Sequence, residues 1–247
     1  MRIEYAEVSL LGNRTDNQDR VSVAVSEHSA LLVVIDGMGG HSDGAKAAET
    51  AIKTLMESFW HTPQPILDPL GFLHLSLGRA HEEVAKLGAN LPLELRPRAT
   101  CAVCLVQNGS AFWAHIGDSR VYLLRRGKVF KRTRDHSHVE FLLREGVITA
   151  DQALTHPMRN FVECCLGGDP AIPEMTVSGR HVLQPGDLLL LCTDGIWANL
   201  RDGDIAGFFK EDNQELRAWL EALGRRAVQA SAPFSDNSTA AVLRWHE

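Results

Sequence analysis

Polar and apolar positions alternate cleanly along Val21-Ser-Val-Ala-Val25, the period-two signature of a strand with one buried face, and a further strand is predicted from Ile3 to Leu10. Two other stretches are apolar without a break, Ala30-Leu-Leu-Val-Val-Ile35 and Leu188-Leu-Leu-Leu-Cys192. Each runs into an Asp-Gly pair, the first at Asp36-Gly37 and the second, through Thr193, at Asp194-Gly195. Continuous apolar runs bounded by turn residues predict strands covered on both faces, although periodicity alone also admits a short buried helix.

Helical spacing appears in two places after the first of these runs. Ala45, Ala48, Ile52, Leu55, Met56 and Phe59 share one face, and Leu73, Leu77, Ala80, Val84 and Leu87 share another. Short apolar strands follow at Ala99 to Val106, Ala111 to Ile116 and Val121 to Leu124. Asn108-Gly109 and Gly117-Asp118 separate them, pairs that favour tight hairpin turns, so this stretch reads as an antiparallel meander. From Asp135 to about Asp169 the chain changes character, with His136, His138 and His156 among mixed polar positions, and reads as a surface insertion with short helical pieces. Strands resume at Glu174 to Val182 and Asp187 to Thr193. Asp212-Asn-Gln-Glu215 resembles a capping box before a helix faced by Leu216, Trp219, Leu220, Leu223 and Ala227, and Thr239 to Arg244 closes the chain as a strand. No repeat or linker divides residues 1–247, so one domain is expected. Its class is α+β, with antiparallel sheets inside and helices outside, rather than alternating βαβ units.

Composition narrows the partners. At 247 residues, 45% apolar and 23% charged, the chain is an ordinary globular protein with ample length for a core. No leader-like segment and no apolar stretch near the roughly 18 to 20 residues of a membrane span is evident, so a cytoplasmic protein without membrane contact is expected. The five cysteines, Cys101, Cys104, Cys164, Cys165 and Cys192, are an odd number in apolar surroundings and read as reduced core thiols rather than zinc ligands. A net charge of −6 disfavours nucleic acid as a partner.

The aspartates raise the chemical question. An ionised carboxylate at the end of a buried strand is costly unless something pairs with it. Asp118, in His115-Ile-Gly-Asp-Ser-Arg120, and Asp236, in Ser235-Asp-Asn-Ser-Thr239, follow the same logic as Asp36 and Asp194. Carboxylates about 5 Å apart repel by roughly 3 kcal/mol per pair at an effective dielectric near 20, so their convergence demands a cation. The motifs offer no thiol or imidazole, which suits Mg²⁺ or Mn²⁺. A lone Asp-Gly is ordinarily a plain turn; two at the ends of apolar strands are harder to read that way. Arg14, just before Asn17-Gln18-Asp19, reads beside such a cluster as a phosphate clamp.

Taken in order, Arg14-Thr-Asp-Asn-Gln-Asp19, Asp36-Gly-Met-Gly-Gly-His41, His115-Ile-Gly-Asp-Ser-Arg120, Thr193-Asp-Gly195 and Asp236-Asn-Ser-Thr239 resemble the motif set of the metal-dependent protein phosphatases. These are the protein phosphatase 2C-like serine/threonine phosphatases, and the likeness, in their bacterial form, runs from about Gly12 to Leu243. It implies a four-layer αββα sandwich, two central antiparallel sheets flanked by helix pairs, with the metals at one end and a small flap at 135–169. It further implies that Asp36 bridges two Mn²⁺ or Mg²⁺ ions, with the Gly37 carbonyl completing the second and Asp194 and Asp236 holding the first. Asp118 would hold a third, weaker ion, sharing Asp194. Asp19 and Gln18 would act on the ions through water and hydrogen bonds, Arg14 would grip the phosphate, and Gly195 would serve only its turn. The implied reaction is one-step hydrolysis of phosphoserine and phosphothreonine in proteins by a hydroxide bridging the two ions. The implied partners are phosphorylated proteins, through a cognate serine/threonine kinase or its substrates, with the enzyme itself a monomer.

The chain departs from the pattern in places. Gln18 stands where many relatives have Glu, which predicts weaker affinity for the second ion. Pro97-Arg98-Ala99-Thr100 replaces a Gly-Thr-Thr-like turn. Met38 stands where animal relatives carry a histidine proposed as general acid, leaving His41 as the nearest candidate for that catalytic role. The flap matches the family at Asp135-His-Ser137 and His156-Pro-Met-Arg-Asn160, which implies a position beside the active site and a part in substrate selection. Its histidines read as hydrogen-bonding groups, and the basic run Arg125 to Arg134 as a solvated hairpin face. Two other readings stay open on the sequence: a non-catalytic phosphoprotein-binding module, against which the retained aspartates argue, and a metal-dependent hydrolase of small phosphoesters.

Overall fold

The structure, a computed structural model, describes residues 1–39, 42–209 and 215–247. Strands β1 (Ile3–Leu10), β2 (Asp19–Val25) and β3 (Ser29–Met38) lead into helices α1 (Ser42–His61) and α2 (Pro69–Leu87). The meander follows as β4 (Arg98–Ala99), β5 (Cys101–Gln107), β6 (Ser110–Ile116), β7 (Arg120–Arg125) and β8 (Lys128–Arg132). The flap holds α3 (His138–Arg144) and α4 (Ala150–Leu154). Then come β9 (Leu166–Gly167), β10 (Thr176–Val177), β11 (His181–Val182), β12 (Leu188–Cys192), α5 (Asp194–Trp197), α6 (Asp202–Gly207), α7 (Leu216–Ser231) and β13 (Ser238–Trp245).

Two antiparallel sheets result. One has the order β1-β13-β12-β7-β8; the other runs β10-β6-β5-β3, with β2 on the free side of β3, β11 also on β6, and β4 and β9 continuing from the end of β3. The unbroken apolar runs are explained by burial on both faces. Ala30, Leu32 and Val34 of β3 meet Leu189 and Leu191 of β12 between the sheets. Leu31, Val33 and Ile35 turn outward onto α1 and α2, while Leu188, Leu190 and Cys192 turn onto α7. Such fully buried leucines contribute about 2–5 kcal/mol each against alanine. The layers are therefore α1/α2, sheet, sheet and α7. On the α7 side the described residues supply one long helix with the short α5 and α6 beside it, elements that the sequence pattern does not predict.

Other expectations are adjusted. Glu174 to Val182 is not one strand, because Ser178 breaks it: its hydroxyl accepts the Trp113 N–H at 3.2 Å, leaving the short β10 and β11 on either side. The capping-box residues 212–214 lie outside the described residues, and α7 begins at Leu216. All five cysteines are free, but only Cys101, Cys104 and Cys192 are buried. Cys164 and Cys165, at the end of the flap, are partly exposed because they precede the short β9 rather than sit in a central strand. Among the described residues no helix is long and apolar enough to cross a membrane.

Candidate active site

The sandwich gathers its aspartates at one end. In the β2–β3 ladder Asp19 stands directly opposite Asp36, two carboxylates in the pairing that places Cβ atoms about 4.5–5.5 Å apart. The end of β12 delivers Asp194, the residue before Asn237 at the entry to β13 is Asp236, and the β6–β7 turn, where the chain passes from one sheet to the other, carries Asp118. Asp36, Asp118, Asp194 and Asp236 line one cleft of about 470 Å³, together with Arg14, Gln18, Gly37 and Asn237. The sequence-predicted residues are thus brought together, apart from His41, which lies outside the described residues, and Asp19, which sits beneath the cleft floor at 3% exposure.

The electrostatics of the cleft are those of crowded carboxylates. Burial and the charges of Asp19, Asp194, Asp118 and Asp236 hold the Asp36 carboxyl well above the usual range. Burial, then Asp194 and Asp135, do the same to Asp118 against a partial offset from Arg120. Asp194 is raised to about 6 by burial and Asp236, with relief from the Gly195 N–H, Arg14 and Arg120. Asp19 is pushed up to about 7, mainly by burial, although Thr239 and Thr193 hydrogen-bond to it. Carboxylates that resist ionisation beside one another are a ready site for hard divalent cations, and an all-oxygen donor set suits Mg²⁺ or Mn²⁺. Among the described residues no three acidic, His or Cys side chains converge on a single point. Asp236 is engaged by Arg14, Nη2 to Oδ2 at 2.7 Å. Both partners are substantially exposed, so the pair contributes at most about 1 kcal/mol, little against a divalent ion. Arg14 is therefore at the cleft, with its guanidinium resting on one of the clustered carboxylates.

Several supporting residues carry no prediction from the sequence. The Asn237 side chain accepts the Gln18 N–H at 2.9 Å and donates to the carbonyls of Leu11 and Asp16 at 2.9 and 3.1 Å, pinning the loop that bears Arg14. The Thr193 hydroxyl donates to Asp19 Oδ2 at 2.9 Å and accepts the Thr239 N–H at 3.1 Å, so Asp19 is tied across the two sheets. Gly195 does more than serve a turn: a Cβ there would lie 1.9 Å from the Asn237 carbonyl oxygen, so the glycine lets α5 close on β13. Gly37 is similar, since a Cβ would lie 2.0 Å from the Gly44 carbonyl at the start of α1. The Pro97 to Thr100 segment backs the site, with the Thr100 N–H donating to the Asp36 carbonyl at 2.9 Å.

The flap borders the cleft through Asn160 and Val162. Its histidines make hydrogen bonds, as expected. His136 Nε2 meets Thr176 Oγ1 at 2.8 Å, His138 meets Glu163 at 3.2 Å, and His156 Nδ1 accepts the Met158 N–H at 3.2 Å. The basic run is partly consumed within the fold: Arg125 is bidentate to Asp187 at 2.8 and 2.7 Å, and Arg132 pairs with Asp202 at 3.6 Å. A larger hollow, about 550 Å³, lies among Trp113, His115, His136 and Glu174. It shares no lining residue with the carboxylate cleft.

An antiparallel sandwich with clustered carboxylates and a guanidinium at one end has the layout of a metal-dependent phosphatase. Comparison with known proteins agrees. Residues 9–232 match the family pattern described as protein phosphatase 2C. The chain is 31% identical to the protein phosphatase PhpP of Streptococcus pneumoniae over 249 residues, covering 98% of each chain. The solved serine/threonine phosphatase of S. agalactiae superposes with a TM-score of 0.90 at 26% identity, covering all of both chains. The catalytic domain of the serine/threonine protein phosphatase PstP, solved in complex with two manganese ions, superposes with a TM-score of 0.82 at 28% identity, covering 99% of each. The chain belongs to the protein phosphatase 2C family.

Proposed function

We propose that this protein hydrolyses phosphoserine and phosphothreonine in proteins at a Mn²⁺ or Mg²⁺ centre, opposing a bacterial serine/threonine kinase. The observation that carries the reading is the convergence of Asp36, Asp118, Asp194 and Asp236 on one cleft with Arg14 beside them. Asp36 and the Gly37 carbonyl, with Asp194 and Asp236, would hold two ions, and Asp118 with Asp194 a third. Divalent cations bound there supply charge neutralisation and an acidified water as the nucleophile.

The chain's own residues do the rest. Arg14, released from Asp236, offers two parallel N–H groups to the phosphate oxygens, a bidentate geometry that a lysine could not reproduce. Asp19, fixed by Thr193, stands opposite Asp36 and orients water at the centre. No cysteine is needed as nucleophile; burial pushes the Cys101, Cys104 and Cys192 thiols far up and keeps them protonated. Protonation of the leaving serine or threonine oxygen is assigned to His41 or to water. A His41→Ala pH profile on a phosphopeptide distinguishes the two, since loss of its basic limb identifies the imidazole as the acid. Asn160 and Val162 put the flap where residues flanking the phosphate would pass, which supports a role in substrate choice.

The test is a substrate comparison with purified protein in Mn²⁺: phosphothreonine and phosphoserine peptides against a small aryl phosphate. Turnover of the peptides supports the reading. Turnover of the small phosphoester alone supports a small-molecule hydrolase, and turnover of neither supports a binding module.

A further inference from the structure

The β6–β7 turn that carries Asp118 is held from the opposite side by α5. Trp197, three residues beyond Asp194, donates its indole N–H to the backbone carbonyl of Asp118 at 3.0 Å. Arg120, two residues beyond Asp118, lays its guanidinium carbon 3.3 Å from the centre of the Trp197 ring. The same guanidinium is bidentate to Asp135 at the base of the flap, 2.8 and 2.7 Å, and donates to the Tyr122 hydroxyl at 3.1 Å. Arg120 and Asp135 are both buried. Neither they nor Trp197 line the carboxylate cleft, so none of the three touches a substrate there.

The arrangement has a mechanical consequence. Asp194 and Trp197 are the first and last residues of a single helical turn, closed by the Ala198 N–H donating to the Asp194 carbonyl at 2.8 Å. One rigid turn thus presents a carboxylate to the cleft with one end and holds the main chain of another carboxylate with the other. Arg120 cannot drift from the indole, because its fork is fixed on Asp135 and a guanidinium between a carboxylate and an aromatic face is attracted to both.

We propose that Trp197, clamped by Arg120, is a positioning residue that fixes the Asp118 main chain relative to Asp194 and thereby sets the affinity of the ion these two carboxylates share. The proposal rests on the metal-centre reading above. It assigns no catalytic role to Trp197 or Arg120.

The test is calorimetric Mn²⁺ binding to wild type, Trp197→Phe and Asp118→Asn. Phenylalanine keeps an aromatic ring beneath Arg120 but removes the indole N–H and shortens the ring system. The expected result is that Trp197→Phe weakens, by about tenfold, the same ion that Asp118→Asn abolishes, while the other ions bind as in wild type. A merely structural role would affect all ions alike. Arg120→Lys, which keeps the charge but loses the fork and the stacking, should weaken the same ion, and it serves if Trp197→Phe fails to fold. A Trp197→Phe isotherm superimposable on wild type, or a wild-type isotherm that Asp118→Asn leaves unchanged, overturns the proposal. Failure of the underlying reading looks different: wild type itself would bind no Mn²⁺ and turn over no phosphopeptide.

Discussion

Replacing Asp194 by asparagine should stabilise the metal-free protein at neutral pH while destroying its metal centre. The folded carboxyl titrates at about 6, raised by burial and by Asp236, whereas the unfolded side chain titrates near 3.8. Between those values the folded state holds more protons than the unfolded one, so stability falls as pH rises through the window, and above about pH 6 the loss is complete. At about 1.4 kcal/mol per pH unit the carboxylate costs roughly 3 kcal/mol at pH 7.5, and water in the cleft reduces this to about 2–3 kcal/mol. For a domain of this size that corresponds to roughly 4–12 °C in melting temperature. Thermal unfolding in chelator should therefore show Asp194→Asn melting above wild type at pH 7.5, with the gap closing towards pH 4.5. His115, whose pKa is lowered to about 4 by burial and by His136, works in the opposite direction on acidification, but it is common to both proteins and cancels in the difference. Saturating Mn²⁺ should invert the order. A variant that melts at or below wild type in chelator at pH 7.5, with a gap independent of pH, would refute the repulsion argument.

Other consequences are open to measurement. Arg14→Ala should lower kcat/KM on a phosphopeptide by about 10- to 100-fold, the loss of one charged hydrogen-bonding partner, and should tighten Mn²⁺ about twofold by freeing Asp236; calorimetry and steady-state kinetics check the two halves. Gly195→Ala forces the α5–β13 contact apart and should cost about 3 kcal/mol of stability along with Mn²⁺ affinity, read by denaturant unfolding and metal titration. Gln18→Glu adds a carboxylate to the cleft lining and should tighten the second Mn²⁺; an unchanged isotherm counts against a role for position 18.

Much of this molecule is legible in its sequence because burial leaves a pattern. The runs at Ala30 to Ile35 and Leu188 to Cys192 are apolar throughout because each strand faces the other sheet on one side and helices on the other. Their terminal aspartates stand out for the same reason, as charges where the pattern has no room for them. What is not legible depends on contacts between residues distant in sequence. Nothing local indicates that Asn237 pins the Gln18 loop or that Thr193 ties Asp19 across the sheets, since each is one polar residue whose partners are fixed only by topology. The two Asp-Gly pairs look alike in sequence and differ in space: Gly37 yields to the start of α1, Gly195 to the carbonyl of Asn237. The strand predicted at Glu174 to Val182 fails because periodicity does not reveal that Ser178 takes over a ladder hydrogen bond.

The proposed reaction depends on divalent cations serving the carboxylate cleft. Its most direct test is phosphate release from a phosphothreonine peptide by the purified protein, measured before chelation, after exhaustive chelation, and after Mn²⁺ is restored. Turnover, its abolition and its recovery are the expected sequence, with no recovery in Asp36→Asn. Turnover that persists through chelation, or that Asp36→Asn retains, would contradict that dependence.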